Sequence, residues 1–139
     1  MGKDFEILDH TADIGIVACG ANLREAFVNA ARGLFSLIIE LDEVRAKKQR
    51  TIEVKAPDRE ALLVNWLNEL IYLSETGEMV FKDFEISHLT KTELKAKGYG
   101  EKIDRTRHHL KREVKAATYH KLAIEPKAGG WRLQVIFDI

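Results

Sequence analysis

Residues 51–73 read TIEVKAPDREALLVNWLNELIYL, and the hydrophobic period changes partway through. From Thr51 to Ala56 the period is two. Ile52, Val54 and Ala56 share one face, while Thr51, Glu53 and Lys55 share the other, as in a strand with one side buried. Pro57 then stops the strand, and Asp58 is placed to cap a helix through its side-chain oxygen. Leu63, Trp66, Leu67, Leu70 and Leu73 recur at steps of three and four, which is one apolar helical stripe. Thr76-Gly77 closes it, glycine being the usual helix terminator.

The same alternation of strand and helix extends in both directions. Upstream, Asn22 is a preferred N-cap, and Glu25 three residues on completes a near capping box. Leu23, Ala26, Phe27, Ala30, Leu34, Leu37, Ile38 and Leu41 continue a helical stripe from it. Before this helix, Phe5 to Cys19 reads as two short strands around the polar corner Asp9-His10-Thr11-Ala12-Asp13. A charged connector, Asp42 to Arg50, leads to the strand at Thr51. Downstream, Val80 to Ser87 and Lys91 to Tyr99 are expected to pair as a hairpin turning near His88-Leu89. Gly98 and Gly100 are expected to end that pattern, and the basic segment Glu101 to Arg112 has no assignment. From Glu113 onward alternation resumes through Val114, Ala116, Thr118, His120, Leu122 and Ile124. Pro126 to Gly130 signals a turn, and Trp131 to Ile139 a final strand. This order predicts an α+β fold: a single two-layer domain over residues 1–139, with two main helices packed on a largely antiparallel sheet.

Composition narrows the function. The chain of 139 residues carries 22 Lys+Arg against 22 Asp+Glu, with 45% hydrophobic and 32% charged residues. Neutral balance argues against a nucleic-acid coat, DNA included, whose footprint is a basic excess. A lone Cys19 excludes an intramolecular disulfide and a multi-thiolate zinc site, and suits a reducing compartment. No apolar run reaches the roughly 20 residues of a membrane span. Met1 to Glu6 lacks a signal-peptide pattern, and Glu6 breaks a myristoylation motif. A cytoplasmic protein is expected.

Three places hold candidate chemistry. On the last strand, Leu133, Val135 and Phe137 point one way, and Arg132, Gln134, Ile136 and Asp138 the other. If the chain ends at Ile139, its terminal carboxylate lies beside Asp138, and two adjacent anions repel unless a cation joins them. A hard divalent ion bound by oxygens would do so; an exposed strand end is the plain alternative. In the corner, Asp9 or Asp13 either caps the turn or serves as a metal ligand or acid/base group, and His10 alone carries little weight. The cluster Lys102, Arg105, Arg107, His108, His109, Lys111 and Arg112 either contacts RNA phosphates or an acidic partner, or is a solvated face. No aromatic residue interleaves with it to stack bases. Cys19 reads as a small buried hydrophobe, and Trp66 and Trp131 as packing. Neither a phosphate-binding P-loop nor a nucleophile elbow occurs.

Four stretches taken together resemble the archease family. They are Asp9-His10-Thr11-Ala12-Asp13-Ile14-Gly15, Leu62 to Leu70, Glu113-Val114-Lys115-Ala116-Ala117-Thr118-Tyr119, and the ending Phe137-Asp138-Ile139. The resemblance implies an accessory protein rather than an enzyme. It implies an activator of the RtcB-type RNA ligase that joins tRNA halves with GTP and manganese, promoting ligase guanylylation and multiple turnover. It further implies a divalent cation (calcium, or manganese or magnesium in the working complex) held by Asp13, Asp138 and the carboxylate of Ile139. Lys115 is then a candidate contact for the ligase or a nucleotide phosphate, or else a strand lysine facing water. Two other functions compete: an RNA-binding adapter or chaperone for tRNA processing that uses the Glu101 to Arg112 cluster, and a metal-dependent phosphoester hydrolase. Asp13 and Asp138 are 125 positions apart (138 minus 13), so the metal reading requires the fold to bring the first corner beside the last strand.

Overall fold

The computed structural model describes residues 4–9 and 13–139. The corner residues His10, Thr11 and Ala12 and the leading Met1 to Lys3 lie outside the described residues. The elements run β1 (Phe5–Asp9), β2 (Asp13–Gly20), α1 (Leu23–Ile38), β3 (Lys48–Lys55), α2 (Arg59–Thr76), β4 (Met79–Leu89), β5 (Glu93–Lys102), β6 (Ala116–Ala117), β7 (Ala123–Lys127) and β8 (Gly130–Asp138). The class is α+β and every pairing is antiparallel, but the strands divide into two sheets. One runs β1-β2-β8-β6, with β7 also on β8; the other runs β3-β5-β4. Both helices touch strands of both sheets, so the two sheets share one core.

Helix starts follow the sequence closely. The Asn22 side chain accepts the Glu25 N–H at 2.9 Å, and Asp58 accepts the Ala61 N–H at 2.8 Å. The capping box differs in one respect: Glu25 reaches back to the N–H of Ala21 (3.4 Å), one residue before the cap. α1 ends at Ile38, before the expected Leu41, because Ile39 leaves the helical region and pairs with Leu110 as an isolated bridge. α2 buries more than a stripe. Leu62, Val64 and Ile71 are enclosed along with Leu63, Trp66 and Leu67, since the helix contacts β6 on one side and β3 to β5 on another. The Trp66 indole N–H donates to the Phe27 carbonyl at 3.0 Å, tying α2 to α1 inside the core. Around it Phe35, Phe81 and Phe84 pack with ring centroids 5.5–6.0 Å apart, the range that favours tilted and edge-on contacts. Among the described residues no helix is long and apolar enough to cross a membrane.

Two expectations give way to tertiary contacts. Gly98 and Gly100 do not end the strand; they lie inside β5, which continues to Lys102. A Cβ at Gly98 would meet the Phe81 ring at 2.7 Å, and one at Gly100 would meet the Val80 carbonyl oxygen at 1.9 Å. These glycines admit close neighbours in an unbroken strand. The β4–β5 turn also falls later than expected, at Thr90 to Thr92, where the Thr90 side chain accepts the N–H groups of Thr92 and Glu93. The alternation from Val114 to Ile124 is likewise not one strand. β6 is two residues long, a turn follows in which the Leu122 N–H bonds to Tyr119 O (3.2 Å) with Lys121 at φ 53°, and β7 begins at Ala123.

Replacing Gly100 with alanine should cost about 2–3 kcal/mol, because the obstructing atom is a backbone oxygen that cannot swing aside. Urea unfolding of the variant against the parent chain measures this, and a loss within error of zero would mean that the strands can shift to make room.

Candidate functional site

The long-range pairing that the metal reading requires is present. β2 and β8 run antiparallel with Asp13 opposite Asp138, Ile14 opposite Phe137 and Gly15 opposite Ile136. Directly opposed residues of such a pair lie about 4.5–5.5 Å apart at Cβ, and like charges there repel. Ile136, the apolar residue on the otherwise polar face, is buried over Gly15: its Cδ1 lies where a Cβ at Gly15 would come within 2.6 Å.

β6 joins the same end from the other side of β8. Ala116 pairs with Asp138, and the Lys115 N–H donates to the Asp138 carbonyl at 2.9 Å. Thr118 holds the Ile136 carbonyl twice, through its backbone N–H (3.0 Å) and its hydroxyl (2.8 Å). On the far side of β6, the Asn68 side chain of α2 accepts the Ala117 N–H at 2.7 Å. So short a strand depends on such clamps, and Asn68 was not singled out from the sequence. Its signal was weak: a polar residue interrupting an apolar helix face. The described parts of all four motif stretches therefore meet at one sheet end, with Asp13 and Ile139 half-buried and Asp138 and Lys115 exposed.

The electrostatics at this end are unbalanced. Asp13 Oδ1 is buried and has no hydrogen-bond partner among the described residues. A buried carboxylate oxygen without a donor is costly, and a bound cation would relieve that cost. Hard oxygen donors suit a calcium- or magnesium-like ion. Among the described residues no third His, Cys, Asp or Glu side chain completes a cluster here, so a third donor to a bound ion would have to come from the main chain, a terminal carboxylate or water. Arg112 pairs with Asp9 at the end of β1, at 3.5 Å. A neighbouring groove of about 390 Å³, lined by residues including Ile71, Arg112 and Val114, adjoins this end without either aspartate lining it.

The basic segment is built differently from a phosphate-binding face. Glu101 is buried at the end of β5 and takes the Arg107 guanidinium, the Arg45 N–H (2.7 Å) and the His108 ring nitrogen Nε2 (3.0 Å). His108 Nδ1 accepts the Asp104 N–H at 2.9 Å, so Nε2 carries the proton that it donates to Glu101. The Arg107 hydrogen bond, followed by those from Arg45 and His108, outweighs burial and lowers the Glu101 carboxyl to about 2. His109 binds the Glu43 carboxylate through its backbone N–H and ring, which lowers the Glu43 carboxyl, while Lys111 reaches the Ser36 carbonyl. Much of the cluster's charge is thus spent on folding the 103–112 segment against the helices.

The ion network has a pH signature. Glu101 ionises in the native state far below its ordinary 4.5, so between those values the unfolded chain binds the extra proton. Its contribution is complete above 4.5 and is lost as pH falls towards 2. Urea midpoints measured across that window should drop in the parent chain and drop less in Glu101→Gln; parallel curves would show that the carboxylate is not a source of acid sensitivity.

Residues 5–139 match the model of the Archease protein family. A protein archease of Pyrococcus abyssi is 45% identical over 142 residues, covering 99% of each chain. One of Methanosarcina mazei is 42% identical over 142 residues, covering 99% of this chain and 97% of its own. The solution structure of Methanobacterium thermoautotrophicum protein 1598 superposes with a TM-score of 0.80 at 35% identity, over 98% of this chain and 99% of that one. The crystal structure of an archease from Thermotoga maritima, described as a possible chaperone, has a TM-score of 0.65 at 22% identity over 95% and 94%, a likeness of fold.

Proposed function

The chain belongs to the archease family, and we propose that it is a cytoplasmic accessory protein that activates an RtcB-type tRNA-splicing RNA ligase without catalysing a reaction itself. The observation that supports this reading is the meeting of Asp13, Asp138 and Lys115 at one solvent-facing sheet end, with a buried carboxylate oxygen left unpaired. tRNA halves are then met indirectly, through the ligase.

Asp13, Asp138 and, where the chain ends at Ile139, its terminal carboxylate would hold a divalent cation. When bound, such an ion supplies concentrated positive charge and takes further oxygen ligands from a partner or from water. The chain's own part is positional. The β2–β8 ladder sets the two aspartates opposite each other, the Asn68 and Thr118 clamps fix β6, and β6 presents Lys115 at the edge that a ligase or a nucleotide phosphate would meet. An accessory role in ligase guanylylation and multiple turnover would use this charged edge to position groups on the ligase.

Calorimetric titration with calcium or manganese should show one site in the parent chain. Asp13→Asn or Asp138→Ala should weaken it by about tenfold or more, as should a C-terminal extension that converts the Ile139 carboxylate to an amide. Without metal, Asp13→Asn should raise the melting temperature by relieving the opposed charges, and the metal-dependent rise should vanish. Multiple-turnover RNA ligation with the cognate ligase and substoichiometric accessory protein tests the function. Stimulation by the parent chain and not by Asp138→Ala is expected; equal stimulation by both would remove the acidic end from the mechanism, and stimulation by neither would remove the activator reading.

A further inference from the structure

At the opposite end of the β2–β8 ladder, Gly20 pairs with Trp131, seven residues from Asp13 and Asp138. At about 3.3 Å per residue this is roughly 23 Å away. Here both helices begin, and a cavity of about 470 Å³ opens between them and the β4–β5 turn. Its charged lining residues are Arg24, Arg59 and Lys91, and no carboxylate lines it. Among the described residues none of these three cations has a carboxylate within ion-pair distance. Four acids lie within two residues of these cations in sequence: Asp58 accepts the Ala61 N–H, Glu25 faces the Ala21 N–H, Glu93 meets Lys55 and His88, and Glu60 is exposed in the first turn of α2.

The cationic lining is partly preorganised. The Arg59 guanidinium carbon sits 5.6 Å from the centroid of the Trp131 ring, a cation–π contact that holds it by its face and leaves its N–H edge available. Asn22 and Thr90 add an amide and a hydroxyl. Leu23 and Leu89, both half-buried, form an apolar wall. Both helix starts are already capped, by Asn22 and Asp58, with Glu25 and Glu60 in their first turns, so the positive charge offered here is that of the side chains. Three uncompensated cations gathered into a concavity repel one another, so an anion filling it is stabilised by all of them.

We propose that this cavity binds a compact oligophosphate group, such as pyrophosphate or the phosphate tail of a nucleotide. A continuous RNA strand fits the lining less well, because Phe27, the aromatic residue among the described lining, is buried and cannot stack a base. The site is separate from the acidic end, so it stands or falls independently of the metal reading.

The test is calorimetric titration of the full chain with sodium pyrophosphate, with ATP, and with a short single-stranded RNA. The parent chain should bind pyrophosphate and ATP with one saturable site. Arg24→Glu combined with Lys91→Glu, both at exposed positions, should weaken both ligands by about tenfold or more. Arg105→Glu with Lys111→Glu, in the groove beside β6, should leave them unchanged. If the first pair fails to fold, backbone amide shifts of the parent chain on adding pyrophosphate decide the matter, and they should centre on Leu23, Arg24, Arg59 and Thr90. No saturable binding, equal loss in both double variants, amide shifts elsewhere, or RNA binding tighter than ATP would overturn the proposal.

Discussion

Everything in this molecule hangs on the antiparallel pairing of β2 with β8, a ladder between strands near the two extremes of the chain. It makes β8 an interior strand, flanked by β2 on one side and by β6 and β7 on the other. The core residues Ile14, Ile16 and Ala18 of β2 and Leu133, Val135 and Phe137 of β8 are buried against α1 only when the register is right. A slip of one residue would turn those side chains outward. Such pairing closes a very long loop, and its entropic cost is repaid only by the core beneath it.

The same register sets two carboxylates face to face. Natural proteins tolerate such local conflict where it serves a function, and stability elsewhere compensates. Here the compensation is visible. The Trp66 indole bond, the Phe35–Phe81–Phe84 cluster and the buried Glu101–Arg107–His108 network hold the helices, the second sheet and the 103–112 segment in place. Charge is also grouped locally: Asp13 opposes Asp138 where β2 begins, and Arg24, Arg59 and Lys91 line a cavity where the helices begin. Zero net charge described the sum and concealed this grouping.

How far the sequence could be read depended on the range of the interaction involved. Local chemistry was legible: Asn22 and Asp58 as caps, the period-two run from Ile52 to Val54, and the turn at Gly129, whose φ of 81° suits glycine. Signals whose cause lay elsewhere misled. Gly98 and Gly100 resemble breakers in sequence, yet each makes room for a neighbour on β4. Alternation through Thr118 and His120 looked like one strand, yet contact with β8 breaks off after Thr118 and resumes only at Ala123. In the basic run from Lys102 to Arg112, Arg107 and His108 meet a Glu101 that only tertiary packing buries, and His109 meets Glu43, 66 positions away, which no local pattern encodes.

The amino-acid sequence by itself determined the two helices and most of the strands, because capping, turn geometry and hydrophobic period act within a few residues. It also singled out Asp13, Lys115, Asp138 and Ile139 through the family resemblance. Only the tertiary structure decided that these residues meet, that Asn68 clamps the strand next to Lys115, and that three cations share a cavity at the other end. Those are matters of register and packing between segments up to 125 positions apart (138 minus 13), and no pattern confined to neighbouring residues encodes them.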